Sequence, residues 1–176
     1  MRIIAGSHKG TTIYAPKSDT RPTGDRVREA AFNLIGPVDD MAVLDLFAGS
    51  GAMGLEALSR GASTAVFVDA SRDAQLAIQR NLEKLRLTGA RIVKADARKA
   101  LAAEAASGRR YDLVLVDPPY AMFESLEPTL ARYLPALLAE EGLVVVETSK
   151  RYEPELPLTE RTSRVYGSAR ITVYEP

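Results

Sequence analysis

Cysteine is absent from all 176 residues, so neither a disulfide nor a thiolate metal site can form. The chain has one histidine, His8, too few for a histidine zinc site or a His-based catalytic triad beside other sites, and no metal is expected. No run of about 18 apolar residues occurs, which excludes a membrane-spanning helix of ordinary length. Met1-Arg2-Ile3-Ile4-Ala5-Gly6 lacks the long apolar region of a secretory signal, and a cytoplasmic location is expected. The 23 basic and 23 acidic residues cancel, so any surface for a polyanion must be local. What remains is an ordinary globular composition, 46% apolar and 26% charged, in a chain long enough for one core.

The stretch that organises the chain is Val114-Leu115-Val116-Asp117-Pro118-Pro119-Tyr120. An apolar run of strand length stops at two prolines, which cannot continue a sheet ladder because they lack an N–H and fix φ. The turn therefore holds a carboxylate (Asp117), a carbonyl (Pro118) and an aromatic ring (Tyr120) rigidly at a strand's carboxyl end. Ligands of open α/β sheets bind at that edge. Two acceptors beside a stacking ring suit a planar base with an exocyclic amine.

Residues 2–5 and 11–15 read as two short strands, a hairpin around Gly6-Ser7-His8-Lys9-Gly10. Asp25 is expected to cap a helix whose apolar stripe is Val27, Ala30, Ala31, Leu34 and Ile35, ended by Gly36-Pro37. From Ala42 onward strand and helix alternate. Strands are expected at 43–47, 65–68, 91–94, 112–116 and 143–147. Helices are expected from the Gly-rich turn to about Arg60, after Ser71, over 97–106 and over 124–138. A Pro-rich connection at 151–160 leads to a hairpin, 163–166 and 169–174, around Gly167-Ser168. The fold class is α/β: a doubly wound, mostly parallel, seven-stranded Rossmann-like sheet closed by an antiparallel hairpin, with a small N-terminal hairpin-and-helix extension. Residues 1–36 are expected to form that arm and 37–176 the main domain.

Gly49-Ser50-Gly51-Ala52-Met53-Gly54 follows a strand and opens a helix, matching G-x-G-x-x-G. Asp69, about 20 residues on, ends the second strand, where an acid meets ribose hydroxyls. A nicotinamide dinucleotide and S-adenosylmethionine both need such an acid. Three more acids favour the second. Asp45 lies inside the first strand, where a carboxylate repels a pyrophosphate but serves an ammonium or sulfonium. Asp96 follows the third strand, placed for an adenine amine, and Asp117 follows the fourth.

Val43-Leu44-Asp45-Leu46-Phe47-Ala48-Gly49-Ser50-Gly51, Asp69, Asp96 and Asp117-Pro118-Pro119-Tyr120 resemble the successive motifs of class I S-adenosylmethionine-dependent methyltransferases. Arg21-Pro22-Thr23-Gly24-Asp25-Arg26-Val27-Arg28-Glu29 and Gly54-Leu55-Glu56-Ala57-Leu58-Ser59-Arg60-Gly61 narrow the resemblance to the RsmD-type family, over essentially the whole chain. Gly24 departs from that pattern, standing where the family usually has a second threonine. The resemblance implies a seven-stranded methyltransferase sheet over 37–176, and methylation of guanine N2 in bacterial 16S ribosomal RNA. It implies cofactor contacts from Asp45, Phe47, Ala48, Gly49, Ser50, Gly51, Asp69, Ala70, Asp96, Ala97 and Asp117.

Catalytic roles are expected for Asp117, Pro118 and Tyr120. Arg2, Lys9, Arg21, Thr23, Arg26 and Arg28 are expected to contact RNA, with Tyr120 and Phe123 forming the base pocket. The expected partner is 16S ribosomal RNA or a small-subunit particle, and the expected state a monomer. Without cysteine, no thiol nucleophile of the cytosine-C5 kind is available. Adenine-N6 methylation uses the same Asp-Pro-Pro-Tyr logic. A non-catalytic RNA-binding assembly protein and a nicotinamide oxidoreductase are further alternatives.

Overall fold

A computed structural model describes residues 1–17 and 23–176. Helix α1 (Asp25–Ile35) precedes an alternation of β1 (Ala42–Leu46), α2 (Ala52–Ser59), β2 (Thr64–Asp69), α3 (Arg72–Leu85), β3 (Ala90–Lys94), α4 (Ala97–Ala106), β4 (Tyr111–Val116), α5 (Phe123–Leu137) and β5 (Leu138–Ser149). The hairpin β6 (Thr159–Tyr166) and β7 (Ala169–Glu175) closes the chain. The seven strands form one sheet in the order β3-β2-β1-β4-β5-β7-β6. The first five are parallel, and β7 runs antiparallel between β5 and β6.

Both faces of the central strands are covered, which is why they read as continuous apolar runs rather than alternating ones. Val43, Leu113, Leu115 and Val145 pack beneath α1, α2 and α3. Leu44, Leu46, Val114, Val116 and Val146 pack beneath α4 and α5, whose Leu126, Leu130, Leu134 and Leu137 recur every three or four residues. Strand order reverses between β1 and β4, so their carboxyl ends flank the crevice where such sheets bind ligands.

Five local expectations change. The N-terminal hairpin is only a single antiparallel bridge, Arg2–Thr12, with flanking bonds such as Ile3 N–H to Thr11 O at 2.9 Å. Its outer edge does not extend because the Ile4 and Ala5 N–H groups donate instead to the Glu56 carboxylate, at 2.8 and 2.9 Å. Gly24, not Asp25, is the N-cap of α1, and it supplies no side-chain bond; Asp25 lies in the first turn and binds Arg28. The buried stripe of α1 is Arg28, Ala31, Phe32 and Ile35, shifted by one position from the expected set. Strand β5 starts at Leu138 rather than 143, with a register irregularity opposite Tyr111/Leu113, and β6 starts inside the expected Pro-rich connection.

Gly6 seals the arm to α2. It has φ +83°, and a Cβ there would lie 1.8 Å from the Ser59 carbonyl oxygen. Gly6→Ala should therefore lower stability by about 1–3 kcal/mol or more, since backbone rather than a flexible side chain must move. Denaturant unfolding, with an unshifted midpoint as the contrary result, measures it.

Candidate active site

The crevice between β1 and β4 begins with Asp45. It is 3% exposed, and its carboxylate accepts from the Gly54 N–H at 2.9 Å. The approach requires glycine: a Cβ on Gly54 would sit 2.4 Å from the Phe67 ring and 3.1 Å from the Asp45 carboxylate. Burial, reinforced by the nearby Asp117 and Asp69 and opposed by the Gly54 bond, pushes Asp45 up to about 7. Between Asp45 and Gly54 the chain turns tightly. Phe47 has φ +61°, Gly49 +57° and Gly51 +81°, so a non-glycine residue holds the left-handed region at the mouth of the site. Ala48 and Ser50 are buried in this turn.

Asp69, ending β2, closes the loop from the other side. Its oxygens accept from the Gly49 N–H at 2.9 Å and the Ser71 N–H at 2.8 Å, while the following Ala70 is exposed. Asp96 caps α4 through the Arg98 N–H at 2.9 Å, with Ala97 buried behind it; its carboxylate stays exposed. Asp117 follows β4. The Thr23 hydroxyl donates to it, and burial raises it to about 6 against the lowering effect of that bond. Pro118 is buried, and Tyr120 is 40% exposed in a single 3-10 turn, Tyr120–Met122. The Tyr120 hydroxyl donates to Glu147 of β5 at 3.1 Å. Burial and the Glu147 charge raise that hydroxyl to about 12, so it remains a neutral donor. A small cavity of about 20 Å³, lined in part by Thr23, Met53, Asp117, Val145 and Glu147, lies behind these groups. A larger open concavity of about 360 Å³ lies where α1 and α2 end, at the opposite edge of the sheet from the acids.

The edge therefore brings together Asp45, the 47–51 turn, Asp69, Asp117 and Tyr120, with Asp96 at its margin. Clustered acids, of which Asp117 and Asp69 both raise Asp45, are a poor phosphate site and fit a cationic ligand. Two expected contacts are corrected. Arg28 is 0% exposed: it donates to the Arg2 carbonyl and to Asp25 at 2.9 Å, with Nε 3.7 Å from Glu56, and cannot grip a phosphate. Phe123 is 1% exposed and packs edge-on against Tyr152, 5.2 Å between centroids, in the core rather than a base pocket. Arg2, Lys9 and Arg26 are exposed. Arg21 lies outside the described residues.

Glu56 and Asn81 carry structure that the sequence reading assigns to neither, although Glu56 lies within the Gly54–Gly61 motif. Buried Glu56 accepts from Ile4 and Ala5 and pairs with Arg60 at 2.8 Å. Buried Asn81 accepts from the Tyr14 N–H at 2.7 Å and donates to the carbonyls of Tyr14 and Ser50, at 2.9 and 3.0 Å. A polar residue inside an apolar helix stripe, as Asn81 is between Ile78 and Leu85, was the available signal for each.

The sheet order and this acidic crevice define a class I methyltransferase fold. The family model described as "Conserved hypothetical protein 95" matches residues 1–175. "Ribosomal RNA small subunit methyltransferase D" of Escherichia coli is 41% identical over 84% of this chain and 74% of its own length. "Putative rRNA methyltransferase YlbH" of Bacillus subtilis is 38% identical over 99% of this chain and 98% of its own. The solved structure titled "Putative methyltransferase yhhF from Escherichia coli" superposes with a TM-score of 0.84 at 35% identity, covering 99% of this chain and 96% of that one. The chain belongs to the RsmD-type methyltransferase family.

Removing Glu56 leaves Arg28 buried with one fewer counter-charge and two backbone N–H groups unpaired. Glu56→Ala should cost about 3–5 kcal/mol. Chemical denaturation reads the loss directly, and a change below about 1 kcal/mol, within the range of an exposed pair, would show that the cluster contributes little.

Proposed function

We propose that this chain methylates the N2 amine of a specific guanine in bacterial 16S ribosomal RNA, acting in the cytoplasm on free RNA or a small-subunit particle. S-adenosyl-L-methionine is the cofactor. Residues 1–36 serve as the arm that meets RNA, and 37–176 as the methyltransferase domain. The observation that carries this function is the pairing of a half-buried acceptor, Asp117, with an exposed, anchored ring, Tyr120, beside the cationic-ligand crevice. When bound, the cofactor supplies an electrophilic methyl on a sulfonium. Asp45, the turn from Phe47 to Gly51, Asp69 with Ala70, and Asp96 with Ala97 are the residues that would hold it.

The target base leaves its stack, at a cost of a few kcal/mol, and lies against Tyr120, a contact worth about 1–3 kcal/mol. Asp117 and the Pro118 carbonyl accept the two amine hydrogens and turn the nitrogen lone pair toward the methyl. A guanine amine is conjugated with its ring and weakly nucleophilic, so alignment and a fixed dipole lower the barrier. The amine would exchange one proton for the methyl that the sulfonium releases, and Asp117, which accepts from that amine, is placed to receive the proton. Arg2, Lys9 and Arg26 are the exposed cations available to phosphates.

Asp117→Ala should lower turnover by at least about 10²-fold, the effect of removing one preorganised group, with cofactor affinity changed far less. Nucleoside mass spectrometry of RNA treated with labelled cofactor supplies the readout: N2-methylguanosine is expected. N6-methyladenosine would replace guanine with adenine as the target, and unaltered turnover in the variant would remove Asp117 from the mechanism.

Cofactor binding should also depend on pH. Asp45 is pushed up to about 7 in the folded protein, and a cationic ligand favours its ionised form. Affinity should therefore rise from pH 6 to 8, by up to about tenfold per unit where binding releases one proton. Asp45→Asn should bind weakly with a flattened slope in calorimetric titration; a pH-independent native affinity would exclude Asp45 from the cofactor site.

A further inference from the structure

Thr23 is the point at which the arm touches the catalytic turn. It stands two residues before α1, is half-buried, and its hydroxyl donates to Asp117 across 94 residues of chain. The surroundings of that hydroxyl are otherwise apolar on the helix and sheet side: Val27, Met53, Leu115, Val145 and Ile171 line the same cavity. Groups facing Asp117 from other elements are acidic or neutral. They are Asp45 on β1, Glu147 on β5 and Tyr120 on the turn itself. Among the described residues no lysine or arginine forms a salt bridge with Asp117. Only one of its oxygens is used by Thr23, which leaves the other for an amine hydrogen.

We propose that Thr23 is the positioning residue of the Asp-Pro-Pro-Tyr turn: its hydroxyl fixes the Asp117 carboxylate and keeps it an acceptor, so the arm must be seated before the amine is aligned. The inference rests on Asp117 being the amine acceptor. Thr23 acts through Asp117 and need not touch the base. The helix that follows Thr23 is in turn seated on α2 through buried Arg28, whose Nε lies 3.7 Å from the Glu56 carboxylate.

The sign of the effect follows from the bond. A hydrogen bond donated to the ionised carboxylate lowers its pKa; removing the donor raises Asp117 further above its present value of about 6. A larger share of the protein then carries a protonated Asp117, which cannot accept from the amine, and the loss falls on the acid side.

Thr23→Val keeps the shape and deletes the donor, while Thr23→Ser keeps the donor. The Asp117 carboxyl would be titrated by carbon-13 NMR in the cofactor-free protein, assigned by difference with Asp117→Asn. Turnover against pH and cofactor affinity would be measured alongside. The valine variant should titrate higher and, for a shift of one unit, lose about fivefold in kcat at pH 6, approaching about tenfold at lower pH and nearly vanishing above pH 8. Serine should return both to within about twofold, and cofactor affinity should stay unchanged. An unshifted titration in the valine variant overturns the proposal, as does a loss equal at every pH that serine fails to restore. The titration requires no methyl transfer. A shifted titration in a protein whose Asp117→Ala variant retains full turnover would therefore locate the failure in the assigned function instead.

Discussion

The Glu56 carboxylate is the constraint on which the active edge depends. It is fully buried in the second turn of α2, and it ties the extended N-terminal segment, α1 and the end of α2 to one another. Arg28 extends the same cluster to the Arg2 carbonyl and Asp25. Among the described residues its Nε and Nη1 have no hydrogen-bond partner, so the cluster is not optimised for stability. A buried ion pair of this kind is often replaceable by apolar residues without loss; what it does provide is a single geometry. Here that geometry sets where α1 begins, and hence where Thr23 meets Asp117.

Asn81 performs the complementary task at the other end of the arm. Its amide satisfies both backbone groups of Tyr14 and reaches the Ser50 carbonyl inside the glycine-rich turn. The segment before α1 is thus fastened to α2 and, through Asn81 of α3, to the glycine-rich turn, by side chains rather than by a sheet. That explains why two strand-like stretches yield only one bridge. Hydrogen-bonding groups that a hairpin would pair are already taken.

The parallel sheet was legible because central strands buried on both faces must be apolar throughout, and the intervening helices carry ordinary stripes. The acids at the strand ends were legible for a different reason: carboxylates interrupting or ending such strands have few structural uses. Arg28 was not. Arg26 and Arg28 look alike in the sequence, but two residues on a helix are about 200° apart, so one faces solvent and the other the core. A stripe begun at Val27 rather than Arg28 hides that difference, and only the partner Glu56, itself within an apolar helix, reveals it. Phe123 failed for a related reason. A ring three residues past Tyr120 is already in α5, and its helical position turns it inward beneath the sheet.

At the site itself, rigidity is distributed over elements distant in sequence. Asp117 is held from the arm by Thr23, Tyr120 from β5 by Glu147, and the backbone between them by two prolines. Each constraint restricts a different freedom: the rotation of a carboxylate, the swing of a ring and the path of the chain. Their ordering costs conformational entropy during folding, before any base arrives. The proposed reaction at a weakly nucleophilic amine would need its acceptors already aimed, because it has no covalent intermediate to compensate for poor alignment. The neutral Tyr120 hydroxyl can anchor its ring to a carboxylate without adding a charge, whereas an anionic tyrosine would repel Glu147. The crevice can therefore concentrate negative charge around a cationic ligand and still present an uncharged aromatic face to the base.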